Sequence, residues 1–273
     1  TPVAGGMFDI DACGLASGMV DQQALCMIAG TWGNNEYIAR EPVVSSDVFM
    51  TSCYSIPGYY LILEGSATSA SNLEWFVGQF FEAESKTAVA EGRTVYDVCN
   101  ELVAGTKPQD SGIVFLPFLY GSHASLDGKA CFFGLDGRQT RGHVLRAVYE
   151  GVVFGHKWHV DRLLQFRSMP ASIRLTGGAA RSEVWAQMFA DIFQVPVEVP
   201  EGTELGALGA AICGAVACGI YSSYEEACAA MVRFSRTCEP NRELAGCYRA
   251  KYDRYLRMLG LLEPVWSELV WRS

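Results

Sequence analysis

The sequence lacks the features that mark several large classes of protein. It contains no run of basic side chains, and 30 acidic against 21 basic residues give a formal net charge of -9. A phosphate backbone would repel such a chain, so nucleic-acid binding is not expected. The most apolar stretch, residues 205–220, is shorter than the ~20 residues that a membrane span needs. We therefore predict neither nucleic acid nor membrane as a partner, and a buried helix over 205–218.

Paired cysteine motifs and a targeting segment are also missing. The ten cysteines are scattered, without a C-x-x-C pair, and most lie in apolar runs, where a thiol behaves as a small hydrophobic group. A chain of 273 residues does not need disulfides to be stable. The first residues carry two aspartates and lack the basic segment of a secretory signal. These features favour reduced thiols and a cytoplasmic location.

Several ligand-binding signatures are absent as well. The sequence has no dinucleotide fingerprint G-x-G-x-x-G, and no Gly-Lys-Ser/Thr follows its Gly-rich turn, as a P-loop would require. The four histidines show no metal-ligand spacing to cysteines or acids, so no metal site is predicted. His156 and His159 lie three residues apart on one predicted helix, and Gly151 and Gly155 lie four residues apart on the same helix. Both pairs are interpreted as packing residues.

What is present is enough apolar sequence for a large core: 50% of the residues are hydrophobic and 19% are charged. The early part alternates short apolar runs with turns, and the later part alternates strands with helices. This order predicts an α/β fold with a mixed sheet covered by helices on both faces. Predicted strands cover residues 3–8, 24–30, 36–40, 59–64, 112–119, 173–176 and 195–199, and predicted helices cover 12–19, 72–81, 96–103, 141–166, 182–193, 205–218 and most of 224–262.

One candidate catalytic residue is Asp9, in the segment Gly6-Met7-Phe8-Asp9-Ile10-Asp11-Ala12. It stands between a predicted strand and a predicted helix, where open α/β sheets bind ligands. From the residues alone, a helix N-cap explains this aspartate at least as well, because Asp is a preferred capping residue.

Two Gly-containing turns are candidate binding elements. Gly30-Thr31 offers backbone N–H groups and a hydroxyl at a hairpin turn, which suit phosphate oxygens. In Gly177-Gly178-Ala179-Ala180-Arg181-Ser182, a strand enters a turn of small residues that lets a flat ring approach the backbone. Ser182 also suits a helix N-cap. Each signal is weak alone, because both patterns are common in turns.

Together, these segments resemble the FGGY family of carbohydrate kinases over nearly the whole chain, from residue 3 to about residue 262. Relatives have G-x-x-D-x-x-A, a Gly-Thr turn one strand later, and a Gly-Gly-rich run that continues here to Asp191. They also share E-x-G-A-x-G-A-A, which begins at Glu204. Where relatives follow the strand after Phe115 with Gly-Glu-Arg, this chain has Ser122-His123, so the role of that loop is open.

The resemblance implies an actin-like (ribonuclease-H-like) ATPase domain. It implies that Asp9 is the general base, with Asp11 as the fallback, and that Mg2+ is held largely by phosphates and water. The segment from Glu204 would pack behind the adenosine turn. An Ala at 179, where relatives often have a third Gly, would narrow the adenine slot. The implied ATP-binding residues are Gly30, Thr31, Gly177, Gly178, Ala179 and Ser182.

The same resemblance implies phosphorylation of a ketopentose at a primary hydroxyl. Gly-Thr-Trp, the run at residues 72–76 and the run at 115–122 are most similar to pentulose kinases of the L-xylulose kinase type. Kinases of D-xylulose, L-ribulose, glycerol or another polyol, or an actin- or chaperone-like ATPase, stay open. We expect residues 1–273 to form one C-terminal domain. The sugar would be shared with an N-terminal domain absent from this chain, and an exposed apolar face could support a homodimer.

Overall fold

The computed structural model describes residue 3 and residues 5–269, and the structural statements below concern those residues. A seven-stranded mixed sheet forms the centre, in the order β3-β4-β2-β1-β7-β8-β9. Its strands are β1 (Ala24–Ala29), β2 (Gly33–Ala39), β3 (Met50–Cys53), β4 (Tyr60–Ser66), β7 (Ser172–Thr176), β8 (Val197–Pro200) and β9 (Phe234–Cys238). The strands β5 (Val114–Leu116) and β6 (Cys131–Phe133) pair separately, as a second, antiparallel sheet.

Helices cover both faces of the central sheet. They are α1 (Asp9–Ala16), α2 (Ser71–Phe80), α3 (Glu82–Ala90), α4 (Val95–Ala104), α5 (Arg141–Leu163), α6 (Glu183–Phe193), α7 (Leu205–Ala217), α8 (Tyr224–Met231), α9 (Ala245–Leu262) and α10 (Trp266–Leu269). The larger core includes side chains of α5, α6 and α9 on one face. The smaller core, on the other face, joins α1, α7 and α8 to side chains such as Cys26 and Ile38. The predicted mixed sheet with helices on both faces is confirmed.

The strand directions follow the predicted order of the chain. β1 pairs antiparallel with β2, and β2 with β4, whereas β1, β7 and β8 run parallel to one another. In the β1–β7 register, Ile28 lies beside Thr176. The carboxyl ends of these two parallel strands therefore meet at one edge of the sheet, which places the Gly30 and Gly177 turns together.

Three sequence predictions were wrong in part. Val3 and residues 5–8 form no strand, because Gly5 and Gly6 are exposed and pair with no neighbouring strand; Ala4 lies outside the described residues. The strand predicted over 112–119 is shorter and lies outside the main sheet. α7 is not a buried helix: Leu205, Gly209 and Ile212 are its buried residues, and the other positions are half-buried or exposed.

Other elements had no strong sequence signal. β3 and β9 contain Thr, Ser or Arg and have little full burial, so their apolar pattern is weak. The packing interpretation of α5 is confirmed: a β-carbon on Gly151 would lie 2.9 Å from the Phe115 ring, and His156 and His159 are buried. Within the described part of the chain, every helix is too short or too polar for a bilayer crossing.

Candidate functional site

Asp9 is the first residue of α1, and its side chain is exposed. Its Oδ1 accepts a hydrogen bond of 2.9 Å from the backbone N–H of Ile10. The residue before it, Phe8, takes the N-cap position and makes no side-chain cap hydrogen bond. Asp9 is therefore not the N-cap that the local pattern favoured, and its carboxylate is open to a ligand at the positive end of the helix.

The neighbouring carboxyl group, Asp11, points into the protein. It is 6% exposed, and its Oδ1 is buried without a hydrogen-bond partner. Loss of water on burial, with a smaller contribution from the negative charge of Asp9, raises the pKa of Asp11 to about 6. Asp9 and Asp11 thus differ in access: a ligand in the surrounding solvent can reach Asp9 directly, but not Asp11.

The Gly30-Thr31-Trp32 turn joins β1 to β2, and its carbonyl oxygens are held from one side. The Gly30 oxygen accepts from the N–H of Ala70 at 2.8 Å, and the Thr31 oxygen accepts from the N–H of Ser69 at 3.1 Å. The hydroxyl of Ser71 donates to the same Thr31 oxygen at 2.9 Å. The exposed Thr31 side chain lines a cavity together with Ala70 and Ser71, which bind these carbonyls.

Gly177 brings the second turn against the first. Its φ is +85°, a conformation that L side chains rarely adopt, and a β-carbon there would lie 2.6 Å from the carbonyl carbon of Ala29 and 2.8 Å from the nitrogen of Gly30. Gly178 has an ordinary φ, and a β-carbon there would meet nothing nearer than 4.0 Å. Gly177 is thus required by the close approach of the two turns, whereas Gly178 borders open space.

Ser182 caps α6 and connects it to α4. Its Oγ accepts from the N–H of Trp185 at 3.1 Å and donates to Oδ1 of Asn100 at 2.7 Å. The Tyr149 hydroxyl donates to the same Asn100 oxygen at 3.0 Å. The predicted N-cap role is confirmed. Since two donors occupy the Asn100 oxygen, the amide NH2 of Asn100 is the group it can offer to a ligand.

Four predicted residues line one cavity of about 620 Å³: Gly30, Thr31, Gly178 and Ser182. Ala179 does not line it: this residue is 0% exposed and belongs to the core, so its methyl group does not narrow the cavity. Sequence reasoning assigned no binding role to several other lining residues, because they come from α2 and α4, which are distant in the chain from the two turns. They include Ser71, Glu74, Tyr96 and Asn100. Arg181, within the run 177–182, also lines the cavity but was given no role.

A second cavity of about 610 Å³ lies on the other side of the Gly178–Arg181 turn. Gly177 and Gly178 line it, together with the beginning of α7 and Cys13 of α1. Asp9 is not a lining residue of either cavity, but it precedes Cys13 by one helical turn. α7 packs most closely on α1, and this contact was not predicted. The first residues of α7 line the same cavity as Gly177.

The Ser122-His123 loop lies outside both cavities. The His123 ring lies 4.7 Å from the Phe49 ring, measured between centroids, and the backbone N–H of His123 donates to Oγ of Ser66 at 3.1 Å. Among the described residues, no group of three or more His, Cys, Asp or Glu side chains is placed to hold a metal ion.

The comparison with protein families matches residues 25–218 to the FGGY family of carbohydrate kinases, C-terminal domain. The chain is 35% identical over 264 residues to "L-xylulose/3-keto-L-gulonate kinase" of Escherichia coli (strain K12), which covers 96% of this chain and 51% of that protein. It is 30% identical over 274 residues to "Gluconokinase" of Bacillus subtilis (strain 168), covering 98% of this chain and 53% of that protein.

The fold is also similar to solved structures. The crystal structure of xylulose kinase from Rhodospirillum rubrum superimposes with a TM-score of 0.83 at 25% identity, over 97% of this chain and 52% of that one. The chain thus spans about half the length of the curated relatives it matches.

Proposed function

Because the chain belongs to the FGGY family of carbohydrate kinases, we propose that residues 1–273 form the nucleotide-binding half of an ATP-dependent ketopentose kinase. The actin-like domain would carry the general base, and a sugar-binding domain would complete the active site. The observation that carries the proposal is the convergence of Gly30, Thr31, Gly178 and Ser182 on one cavity of about 620 Å³.

The cavity suits an adenine nucleotide in shape and in hydrogen-bonding groups. Gly178 leaves room for a flat ring, since a side chain there would project into open space. Asn100 offers amide N–H donors beside Ser182. At the other side, the Gly30-Thr31 turn offers the Thr31 hydroxyl to phosphate oxygens, while the Gly30 N–H donates to the Trp32 carbonyl oxygen at 3.2 Å. We place the adenosine against Gly178 and Ser182 and the phosphates near Gly30 and Thr31. Gly177 permits the close approach of the two turns, and Ala179 supports its turn from the core.

In the proposed reaction, ATP supplies the phosphoryl group that the sugar hydroxyl receives. Asp9 would accept the proton of that hydroxyl, because its carboxylate is exposed at the helix start, whereas that of Asp11 is buried. Mg2+ would be held mainly by phosphate oxygens and water, as this ion commonly is when phosphates are present. Positioning and charge neutralisation then account for most of the catalysis of phosphoryl transfer.

The choice of a pentulose as substrate is supported by the L-xylulose kinase relatives. A gluconate kinase is the competing assignment, supported by the gluconokinase at 30% identity. D-xylulose, L-ribulose, glycerol and other polyols are further candidate substrates, and an actin- or chaperone-like ATPase without sugar transfer is the alternative of a different class. The ten cysteines, all within the described residues, are unpaired, which supports a reducing cytoplasm as the proposed location.

The test is an ADP-release assay on a kinase that contains this chain with its sugar-binding half. We expect L-xylulose to give the highest kcat/KM in a panel with D-xylulose, L-ribulose, gluconate and glycerol. A preference for gluconate would replace the substrate assignment but keep the kinase. ATP hydrolysis at one rate with and without every sugar would contradict the kinase assignment.

A further inference from the structure

Two serine–histidine pairs lie between the sheet and α5. Oγ of Ser69 is 2.8 Å from Nε2 of His156, and Oγ of Ser66 is 2.7 Å from Nε2 of His159. Both histidines are on α5 and all four side chains are buried. The two pairs have the same chemistry and similar burial, but the two serines differ in their other contacts.

The hydrogen bonds around His156 identify which ring nitrogen carries the proton. The Asn35 amide nitrogen donates to the Glu64 carbonyl oxygen at 3.2 Å, which fixes Asn35 Oδ1 as the atom 2.8 Å from Nδ1 of His156. An oxygen there can only accept, so Nδ1 carries the hydrogen and Nε2 has a lone pair. Nε2 therefore accepts from Ser69, whose hydroxyl is the donor.

This neutral form of His156 persists at assay pH. Burial, with a smaller contribution from nearby His159, lowers its pKa to about 3. His156 therefore acts as a fixed acceptor for Ser69 and not as a group that exchanges protons with a substrate.

Ser69, which His156 holds in place, is hydrogen-bonded in turn to the Gly30-Thr31-Trp32 turn. Its backbone N–H donates to the Thr31 carbonyl, and the next residue, Ala70, donates to the Gly30 carbonyl. The imidazole also lies directly beneath the turn, because a β-carbon on Gly33 would be 3.1 Å from Cε1 of His156. The Ser66–His159 pair has no hydrogen bond to this turn in the described structure; Ser66 instead contacts the loop at Ser122 and His123.

We propose that His156 and Ser69 are positioning residues for the phosphate-binding turn. They hold the carbonyl groups of Gly30 and Thr31 so that the Thr31 hydroxyl faces the nucleotide phosphates, while the Gly30 N–H stays bonded to the Trp32 carbonyl. The inference rests on the proposed nucleotide site and goes beyond it, since neither side chain lines the cavity of about 620 Å³. It predicts that the pair affects phosphate binding and leaves adenosine binding alone.

The test uses Ser69→Ala with Ser66→Ala as the matched control, and measures ADP and adenosine binding to the 273-residue chain by calorimetry. Both variants remove one buried hydroxyl from a histidine. Ser69→Ala should weaken ADP binding about tenfold, which corresponds to the loss of roughly one hydrogen bond that positions the turn. Adenosine binding should stay within about twofold of that of the unchanged chain. Ser66→Ala should leave both ligands unaffected.

A second pair of variants tests the acceptor itself. His156→Gln can place an amide oxygen close to the Nε2 position and keep the bond to Ser69, whereas His156→Asn is too short to reach it. His156→Gln should retain more of the ADP affinity than His156→Asn. Thermal melts of each variant would identify any that fails to fold, and Ser69→Ala then carries the test.

Equal losses of ADP affinity in Ser69→Ala and Ser66→Ala would overturn the inference, as would a loss of adenosine binding that matches the loss of ADP binding. A failure of the unchanged chain to bind ADP would be a different result. It would contradict the proposed nucleotide site, and the inference with it.

Discussion

A β-carbon on Gly209 would lie 2.5 Å from the carbonyl carbon of Ala12. Real β-carbons do not approach a backbone so closely, so α7 and α1 touch backbone to backbone at this point. The contact matters for the proposed reaction, because α1 begins at Asp9 and its position depends on the helix behind it.

Gly209→Ala should therefore separate the two helices and destabilise the domain by about 1–3 kcal/mol or more, as overpacking of a tight contact does. Gly214→Ala on the same helix is the control, since its β-carbon would meet nothing within 4 Å. That change should be neutral or stabilising by up to ~1 kcal/mol, through the better helix propensity of Ala. Urea denaturation measures both. Equal stability of the two variants would contradict the packing argument.

Asp9→Asn should slow sugar phosphorylation by roughly 10²–10⁴-fold, the usual effect of removing a general base. ADP binding should change little, because Asp9 lines neither cavity. Turnover and ADP affinity are measured separately on a kinase that contains both domains.

Asp11→Asn is the comparison for that experiment. The pKa of Asp11 is raised to about 6, so keeping this carboxylate ionised at neutral pH costs more free energy in the folded protein than in the unfolded chain. Removing the charge should raise the free energy of unfolding at pH 7.5 by about 1 kcal/mol or more and keep most of the turnover. If Asp11→Asn abolished turnover and Asp9→Asn did not, the base would be Asp11.

Gly178→Val should weaken ATP binding strongly without unfolding the chain. The substitution fits the backbone, whose φ is ordinary, but it places a branched side chain in the space assigned to adenine. Gly177→Val would instead clash with Ala29 and is expected to destabilise the fold. Calorimetric titration with ATP and a thermal melt distinguish the two. Undiminished ATP affinity in Gly178→Val would place the ring elsewhere.

Stability should fall as the pH drops from about 6.5 toward 3, because of His156. Its pKa is about 3 in the folded protein, below the ordinary 6.5, so the unfolded chain binds an extra proton within that window. Between pH 6.5 and 5, this group alone should cost about 2 kcal/mol. Burial raises the pKa values of Asp11 and Glu36, which act in the opposite direction.

The relevant quantity is therefore the difference between the unchanged chain and His156→Gln. Urea denaturation at pH 7.5 and 5.0 should show a smaller loss of stability at low pH in His156→Gln than in the unchanged chain. Identical pH dependence in the two proteins would show that His156 is not held neutral by burial.

The 273-residue chain alone should fold but be nearly inactive as a sugar kinase. Alignment of two reactants can supply about 7–11 kcal/mol of barrier lowering, and that contribution needs both walls of the cleft. An ADP-release assay with saturating ketopentose checks this, and turnover equal to that of the two-domain kinase would contradict the shared cleft. A homodimer through an exposed apolar face remains a prediction, which sedimentation of the same sample would test.

The sequence predicted the elements that hold the site because their patterns are local. The hairpin around Gly30 and the strand–turn–helix around Gly178 each lie within a few consecutive residues and have strong apolar periodicity. The parallel pairing of β1 with β7, which brings the two turns together, was not predicted, because β2 to β6 lie between these strands in the chain.

The remaining parts of the site depend on contacts between distant segments. Asn100 reaches the cavity because α4 packs beside α6, and no nearby residue marks it as a ligand group. His156 was interpreted only as a packing residue, and its link to Thr31 passes through Ser69, 87 positions away in the chain. Ala179 was placed in the binding turn by analogy with relatives, whereas the 3-10 turn directs it into the core.

The most direct test of the central claim is a crystal structure of this chain with ADP. The account predicts the adenine against Gly178 and Ser182, within reach of the Asn100 amide, and the phosphates at the Gly30-Thr31 turn. An ADP molecule bound anywhere other than the cavity between these two turns would contradict it.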